Sequence, residues 1–275
     1  LLLCTDLDRT LLPNGAPPES PRARPLFRHL VAAPGVTLAY VTGRDRTLVD
    51  DAVVQYELPR PDYLITDVGA TIYDLEGERW PDWDEHIAPD WRGRDRHELA
   101  RLIGSLPDVV LQEPSRQGRF KLSYEVRPAV ATGDRAVVMA EALDAAGLAV
   151  RVVPSLDDET GAGLIDVLPA ASGKAAAIEF LRGHLGLRRE DTVCAGDSGN
   201  DMDFLVGPLP AVLVANAADD VREAARNGAA AAGCADRLHL AAGGVLGLNG
   251  NYAAGILEGV LHYHPERMGD LEGEA

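Results

Sequence analysis

Two carboxylates one residue apart, Asp6 and Asp8 in the run Asp6-Leu7-Asp8-Arg9-Thr10, follow directly on an apolar stretch. That stretch reads as a strand, so both acids project beyond its carboxyl end, where open α/β sheets bind ligands. Alone, such a pair also fits an acidic turn that merely faces water. Three later segments supply partners of matching chemistry. Thr42-Gly43-Arg44 ends a second apolar run and offers a hydroxyl and backbone amides suited to a phosphate oxygen; a helix start with Arg44 paired to a surface acid fits as well. Lys174 stands in the first turn of a helix that Ser172 is placed to cap, where a cation opposes the helix dipole unless an anion lies nearby. Gly196-Asp197-Ser198-Gly199-Asn200-Asp201 again follows an apolar run. Its hard oxygen donors on a short loop suit Mg²⁺, which keeps several waters and bridges to substrate phosphate.

Short strands must position these residues. Leu1–Asp6, Val36–Val41 and Tyr63–Thr66 read as buried strands, with helices around Leu26–Ala33 and Leu48–Tyr56, an order that implies a parallel sheet with crossover helices. The turn-rich stretch Leu75–Arg94 carries three tryptophans without periodicity and reads as the entry to a second domain. Arg119–Val126 alternates, with Phe120, Leu122, Tyr124 and Val126 on one face and Arg119, Lys121, Ser123 and Glu125 on the other, as in a strand buried on one side only. A helix around Asp134–Ala146 and strands Ala149–Val153 and Gly163–Leu168 make this insert α+β. The core then resumes with helix Gly173–His184, strand Thr192–Ala195, a helix near Asn200–Leu205, strand Ala211–Ala215 and helix Asp219–Asn227; Gly228–Gly244 reads as a strand and loops.

With 275 residues, 46% hydrophobic and 25% charged, the chain has room for one core domain and a smaller second one. A net charge of −17 without a compensating basic stripe argues against nucleic-acid and anionic-membrane partners. The sequence has no run of about 20 apolar residues of the kind that spans a membrane. Leu1-Leu2-Leu3 runs at once into acids and reads as a strand start; the missing initiator Met suggests an excised segment. Three widely spaced cysteines, Cys4, Cys194 and Cys234, fit neither a disulfide framework nor a zinc site, and a cytoplasmic location is expected.

Taken in order, Asp6/Asp8/Thr10, Thr42, Lys174 and Gly196–Asp201 resemble the four motifs of the haloacid dehalogenase (HAD) superfamily of phosphatases, and the resemblance covers essentially the whole chain. The insert resembles that superfamily's C2-type cap. Asp62-Tyr63-Leu64-Ile65-Thr66-Asp67-Val68-Gly69, Phe120-Lys121-Leu122-Ser123-Tyr124, Cys194–Asp201 and Tyr252-Ala253-Ala254-Gly255-Ile256 are similar to segments of the sucrose-phosphate phosphatase group. Arg9 stands where relatives often carry a small or uncharged residue.

The resemblance implies an α/β fold: a Rossmann-like parallel-sheet core formed by residues 1–78 and 169–275, with an α+β cap inserted at 79–168. It implies that Asp6 attacks phosphorus and forms an aspartyl-phosphate, and that Asp8, its pKa raised by the surrounding acids, protonates the leaving oxygen and later activates water. Mg²⁺ is then held by Asp6, the Asp8 carbonyl and Asp197, with Asp201 behind a water. Thr42, Gly43, Lys174 and Asn200 hold the phosphoryl oxygens. Arg44, Gly69, Lys121, Ser123 and Asp166 are candidates to meet the sugar, Gly69 by leaving room for a ring. The expected substrate is a sugar phosphate, sucrose 6-phosphate first. Mannosylfructose phosphate or mannosyl-3-phosphoglycerate, a phosphomutase, and a non-catalytic domain associated with or fused to a sugar-phosphate synthase are the alternatives.

Overall fold

The computed structural model describes residues 1–157 and 160–271. Beginning at the amino end, β1 (Leu2–Thr5), α1 (Ala23–Ala32), β2 (Thr37–Val41), α2 (Arg46–Gln55), β3 (Tyr63–Thr66) and β4 (Thr71–Tyr73) form the first half of a sheet. Next come α3 (Pro81–Ile87), α4 (Arg96–Ile103), β5 (Val109–Leu111), β6 (Leu122–Val126), α5 (Thr132–Ala145), β7 (Val150–Leu156) and β8 (Gly163–Pro169). The chain then returns through α6 (Lys174–His184), β9 (Thr192–Gly196), α7 (Met202–Leu205), β10 (Ala211–Leu213), α8 (Asp219–Ala231), β11 (Leu238–Leu240) and α9 (Ala253–Tyr263).

The larger sheet has seven strands in the order β11-β10-β9-β1-β2-β3-β4, and all its pairs are parallel except β3 with β4. After β1 the chain steps outward to β2 and β3, and after the insert it resumes on the other side of β1 at β9. The strand order therefore reverses between β1 and β9, and a crevice opens there at the carboxyl ends. The insert carries a separate antiparallel sheet, β5-β6-β8-β7.

Alternation along the strands sends Leu3 to one face, where it packs with Phe27, Leu30, Leu257 and Val260, and Leu2 and Cys4 to the other, against Ile178 and Leu181. This second layer continues through Trp80, Trp83 and Trp91 into the insert. The stretch Leu75–Arg94, expected to be irregular, thus contains α3 and two of the most deeply buried side chains, Trp83 and Trp91. Trp83 lies 5.1 Å from the Phe180 ring of α6 and Trp80 stacks on Tyr63 at 5.8 Å. Seven residues with Pro at the first turn are too short to display a helical period, but they are long enough to anchor the insert through aromatic burial.

One other expectation is corrected. Gly228–Gly244 begins inside α8 rather than in a loop, because Ala229 packs into the core. Helix α9 shows no amphipathic period because every residue from Ala253 to Leu261, Glu258 included, is buried, so no solvent-facing polar side marks its turns.

Candidate active site

Strands β1 and β9 run in parallel register with Thr5 opposite Ala195, and the Asp6 amide extends the ladder by donating to the Ala195 carbonyl at 2.9 Å. This register places Asp6 and Asp197 side by side just beyond their strands. The Asp6 carboxylate takes the Leu7 amide at 2.7 Å on Oδ1 and the Lys174 ammonium at 2.8 Å on Oδ2. Lys174 is fully buried and also donates to Asp201 Oδ1 at 2.7 Å and Asn200 Oδ1 at 2.9 Å. Burial alone would lower its pKa, but the carboxylates of Asp201 and Asp6 outweigh that and hold it charged.

The anion required by a lysine at a helix start is therefore present twice, in Asp6 and Asp201. The expected cap is not: Ser172 Oγ donates to the Pro169 carbonyl, and Gly173 occupies the cap position without a side-chain bond. Asp203 supplies the missing acceptor. Its Oδ2 takes the Ala175 amide at 3.2 Å and Arg151 Nη1 of the insert at 3.0 Å, fastening the start of α6 to β7. Ser172 has the spacing of a cap, whereas Asp203 reaches this helix from a different element.

Asp201 Oδ2 accepts the amides of Asp197 at 3.0 Å and Ser198 at 3.2 Å, so its carboxylate folds the loop that presents Asp197. Only glycine fits beneath it: a Cβ at Gly196 would lie 2.6 Å from the Asp201 carboxyl. Asp197 accepts Thr10 Oγ1 and Arg9 Nε, each at 3.1 Å, so Arg9 turns its charge onto Asp197. Ligand oxygens of Asp6, Asp197 and Asp201 all lie within 4.8 Å of one another, and all three residues are buried. Burial, with the charges of Asp201 and Asp197 added, raises the Asp6 pKa well above the carboxylate range despite Lys174. Burial and Asp201 push Asp197 up to about 7. Hard oxygen donors carrying more buried negative than positive charge fit a divalent cation such as Mg²⁺.

Asp8 departs from expectation. Arg44 grips it with Nε on Oδ2 at 2.8 Å and Nη2 on Oδ1 at 2.7 Å, and Asn14 Nδ2 adds a bond to Oδ1 at 2.7 Å. Burial would raise its pKa, but these bonds and the Arg44 charge outweigh burial and leave Asp8 below the usual range. The acids that were expected to raise it lie on the other side of the nucleophile, around Lys174. Asn14 escaped the sequence reading; its only signal there is the turn Pro13-Asn14-Gly15.

A cavity of about 620 Å³ opens above these residues. Asp6, Asp8, Thr42, Gly43, Arg44, Asp197 and Asn200 line its floor, while Lys121 and Asp166 descend from the insert. Lys174 and Asp201 lie beneath the floor, fully buried. Lys121 Nζ is 3.4 Å from the Gly43 carbonyl, 3.8 Å from Asp67 and 3.9 Å from Asp166. Ser123 is 1% exposed and gives its hydroxyl to Asp166 Oδ1, so it supports that carboxylate from behind. On the polar face of the alternating stretch 119–126, expected to meet water, Lys121 and Ser123 are buried over the core, while Arg119 is exposed and Glu125 partly so. Gly69 does not reach the cavity. Its φ is +89°, and a Cβ there would lie 2.2 Å from the Gly173 carbonyl carbon and 2.6 Å from the Lys174 nitrogen, so it makes room for α6 and not for a sugar ring. Asp67, beside Lys121, is a further acid that spacing alone left unremarked.

Comparison with known proteins gives concordant matches. Residues 1–264 match the family described as sucrose-6F-phosphate phosphohydrolase. A HAD-like hydrolase of Nitrosococcus oceani is 42% identical over 275 residues, 99% of this chain and 74% of that protein. The mannosylfructose-phosphate phosphatase of Agrobacterium fabrum is 30% identical over 223 residues, 78% of this chain and 83% of its own length. Among solved structures, the sucrose-phosphatase of Synechocystis sp., determined with sucrose and phosphate, superposes with a TM-score of 0.74 at 27% identity, covering 96% of this chain and 97% of that one.

Proposed function

Because the chain belongs to the sucrose-6F-phosphate phosphohydrolase family of HAD phosphatases, we propose that it hydrolyses a sugar phosphate, sucrose 6-phosphate first among candidates, through a phosphoryl group carried on Asp6. The observation that carries this reading is the Asp6 carboxylate, held 2.8 Å from a buried, charged Lys174 at the floor of a cavity that Thr42 and Asn200 also line. That arrangement fixes a nucleophile beside donors for phosphoryl oxygens.

In the first step an Asp6 oxygen bonds to phosphorus while the bond from phosphorus to the sugar oxygen breaks, and a proton from Asp8 goes to the departing oxygen. In the second, water attacks phosphorus, Asp8 takes its proton, and the Asp6–phosphorus bond breaks to release phosphate. Asp8 as found is poised for the second role, being ionised by Arg44 and Asn14. For the first role it must carry a proton, and this requires the Arg44 pair to part. Thr42, the Gly43 amide and Asn200 take phosphoryl oxygens, and Lys174 holds Asp6 and Asn200 in register. Asp6, Asp197 and the Asp8 carbonyl, with Asp201 behind them, would hold Mg²⁺, which when bound screens the repulsion between carboxylate and phosphate.

The insert, residues 79–168, acts as the cap in this reading, with Lys121 and the Ser123-supported Asp166 facing the sugar hydroxyls. The 30% identity to a mannosylfructose-phosphate phosphatase keeps a second disaccharide phosphate in view. Measuring inorganic phosphate released from sucrose 6-phosphate, mannosylfructose phosphate, mannosyl-3-phosphoglycerate and glucose 6-phosphate tests the assignment. Preference for a disaccharide phosphate is expected, and isomerisation without phosphate release would replace the hydrolase reading with a mutase.

A further inference from the structure

A second cavity, of about 560 Å³, lies on the seam between core and insert, separated from the reaction cavity by Lys121 and Asp67. Its size is that of a small-molecule site. Five arginines line it: Arg46 on the core side, Arg79 at the junction where the insert begins, and Arg96, Arg116 and Arg119 within the insert. This concentration of cations stands out in a chain whose net charge is −17.

The charges opposite are fewer and largely engaged. Asp45 spends its carboxylate on the start of α2, accepting the Leu48 amide at 3.0 Å. Asp67 takes the Thr71 hydroxyl at 3.1 Å and faces Lys121 at 3.8 Å. Glu113 is the third acid, on the exposed rim. Arg79 and Arg119 converge on one oxygen of Asp84, at 2.7 and 2.9 Å. Arg46 lies over the Tyr73 ring and donates through Nη1 to the Gly77 carbonyl, and its contact with a carboxylate is long and exposed, 3.9 Å to Asp50. Among the described residues neither Arg96 nor Arg116 meets a carboxylate; Arg96 donates to the Gly118 carbonyl at 3.3 Å. Guanidinium forks are matched to planar or tetrahedral oxyanions, and five of them facing one cleft raise its local potential against the overall charge.

We propose that this arginine-lined seam is a second binding site, for a phosphate ion or a small molecule carrying a phosphate group. An anion there draws on guanidinium groups of both core and insert and so ties the two together. Arg116 lines both cavities, so occupancy of the seam is felt at the reaction cavity. The inference rests on the charge and shape of the seam and not on the identity of the sugar substrate.

The test is to soak crystals of the full chain in tungstate, a tetrahedral phosphate mimic located by its anomalous scattering, and to titrate the Mg²⁺-loaded protein in solution by calorimetry. A tungstate peak between Arg46 and Arg96, distinct from any peak at Thr42, is expected. Calorimetry with inorganic phosphate is expected to resolve two classes of site, one of which weakens at least about 10-fold in R96Q/R119Q, a difference of about 1.4 kcal/mol. Neither substituted residue lines the reaction cavity, so hydrolysis of p-nitrophenyl phosphate should persist, which also shows that the variant is folded. Weakening with inorganic phosphate alone supports a free-ion site, and weakening with glucose 6-phosphate in a parallel arm supports a site for a phosphorylated small molecule. A peak only at Thr42, or wild-type binding in the variant, overturns the proposal. A seam peak without any change in solution binding marks an adventitious ion only, and overturns it equally.

Discussion

Arg44 holds Asp8 by two parallel hydrogen bonds, 2.8 and 2.7 Å long, that join the segments following β1 and β2 at the floor of the reaction cavity. A bidentate guanidinium–carboxylate pair favours the ionised acid. In Arg44→Gln the Asp8 pKa should therefore rise, and because Asp8 serves first as acid and then as base, the pH–rate profile should move to higher pH by about one unit. The pH dependence of kcat/KM for p-nitrophenyl phosphate checks this. A uniform loss of rate without displacement would mean that Arg44 acts on substrate binding and not on Asp8.

Replacing Asp6 by Asn retains the shape of the side chain but removes its nucleophilic charge. Turnover should fall by at least about 10⁴-fold. Phosphate release and trapping of the phosphoryl-enzyme by acid quench measure the loss; activity near wild type would refute the covalent route.

Lys174→Met leaves Asp6 and Asp201 buried without their cation. Removing one partner of a buried ion pair typically costs about 3–5 kcal/mol, and that loss is expected here. Urea denaturation reads it directly. A cost under about 1 kcal/mol would mean that the carboxylates relax toward water and that the buried network is weaker than its geometry implies.

Asp6 and Asp197 both have folded-state pKa values above the carboxylate range, Asp197 at about 7. Between about pH 4 and 7 the folded chain therefore binds more protons than the unfolded one, so without metal its stability should fall as pH rises through this window. Mg²⁺ competes with those protons, and its stabilising effect should grow over the same interval. Thermal melts at pH 5, 6, 7 and 8, with and without Mg²⁺ and with EDTA as control, give the answer. A melting temperature that rises with pH in EDTA contradicts the assignment.

Gly69→Ala adds a methyl 2.2 Å from the Gly173 carbonyl carbon at a residue with φ of +89°. Overpacking and left-handed strain together should destabilise the chain by about 3 kcal/mol. Denaturation of purified protein measures it. Unchanged stability with a raised KM for sugar phosphate would return Gly69 to the substrate.

Much of the site was written in residue type and order. Acids, a hydroxyl, a lysine and an acidic loop each follow or precede an apolar run, and in a parallel α/β sheet the carboxyl ends of strands lie on one edge. That logic correctly brought Asp6, Thr42, Lys174 and Asp197 together, because each is fixed by the strand or helix beside it. What it lacked was direction and company. Asp8 turns away from the acids toward Arg44 and Asn14, Asp203 from another element replaces Ser172 at the head of α6, and Gly69 faces backbone rather than ligand. The alternation of β6 marked two faces, but only the insert folding over the core decided that Lys121 and Ser123 of the polar face are buried above the site. Local sequence determines which groups leave a strand end; how they are charged and what they touch is decided by contacts between elements far apart in the chain, where burial and ion pairing act.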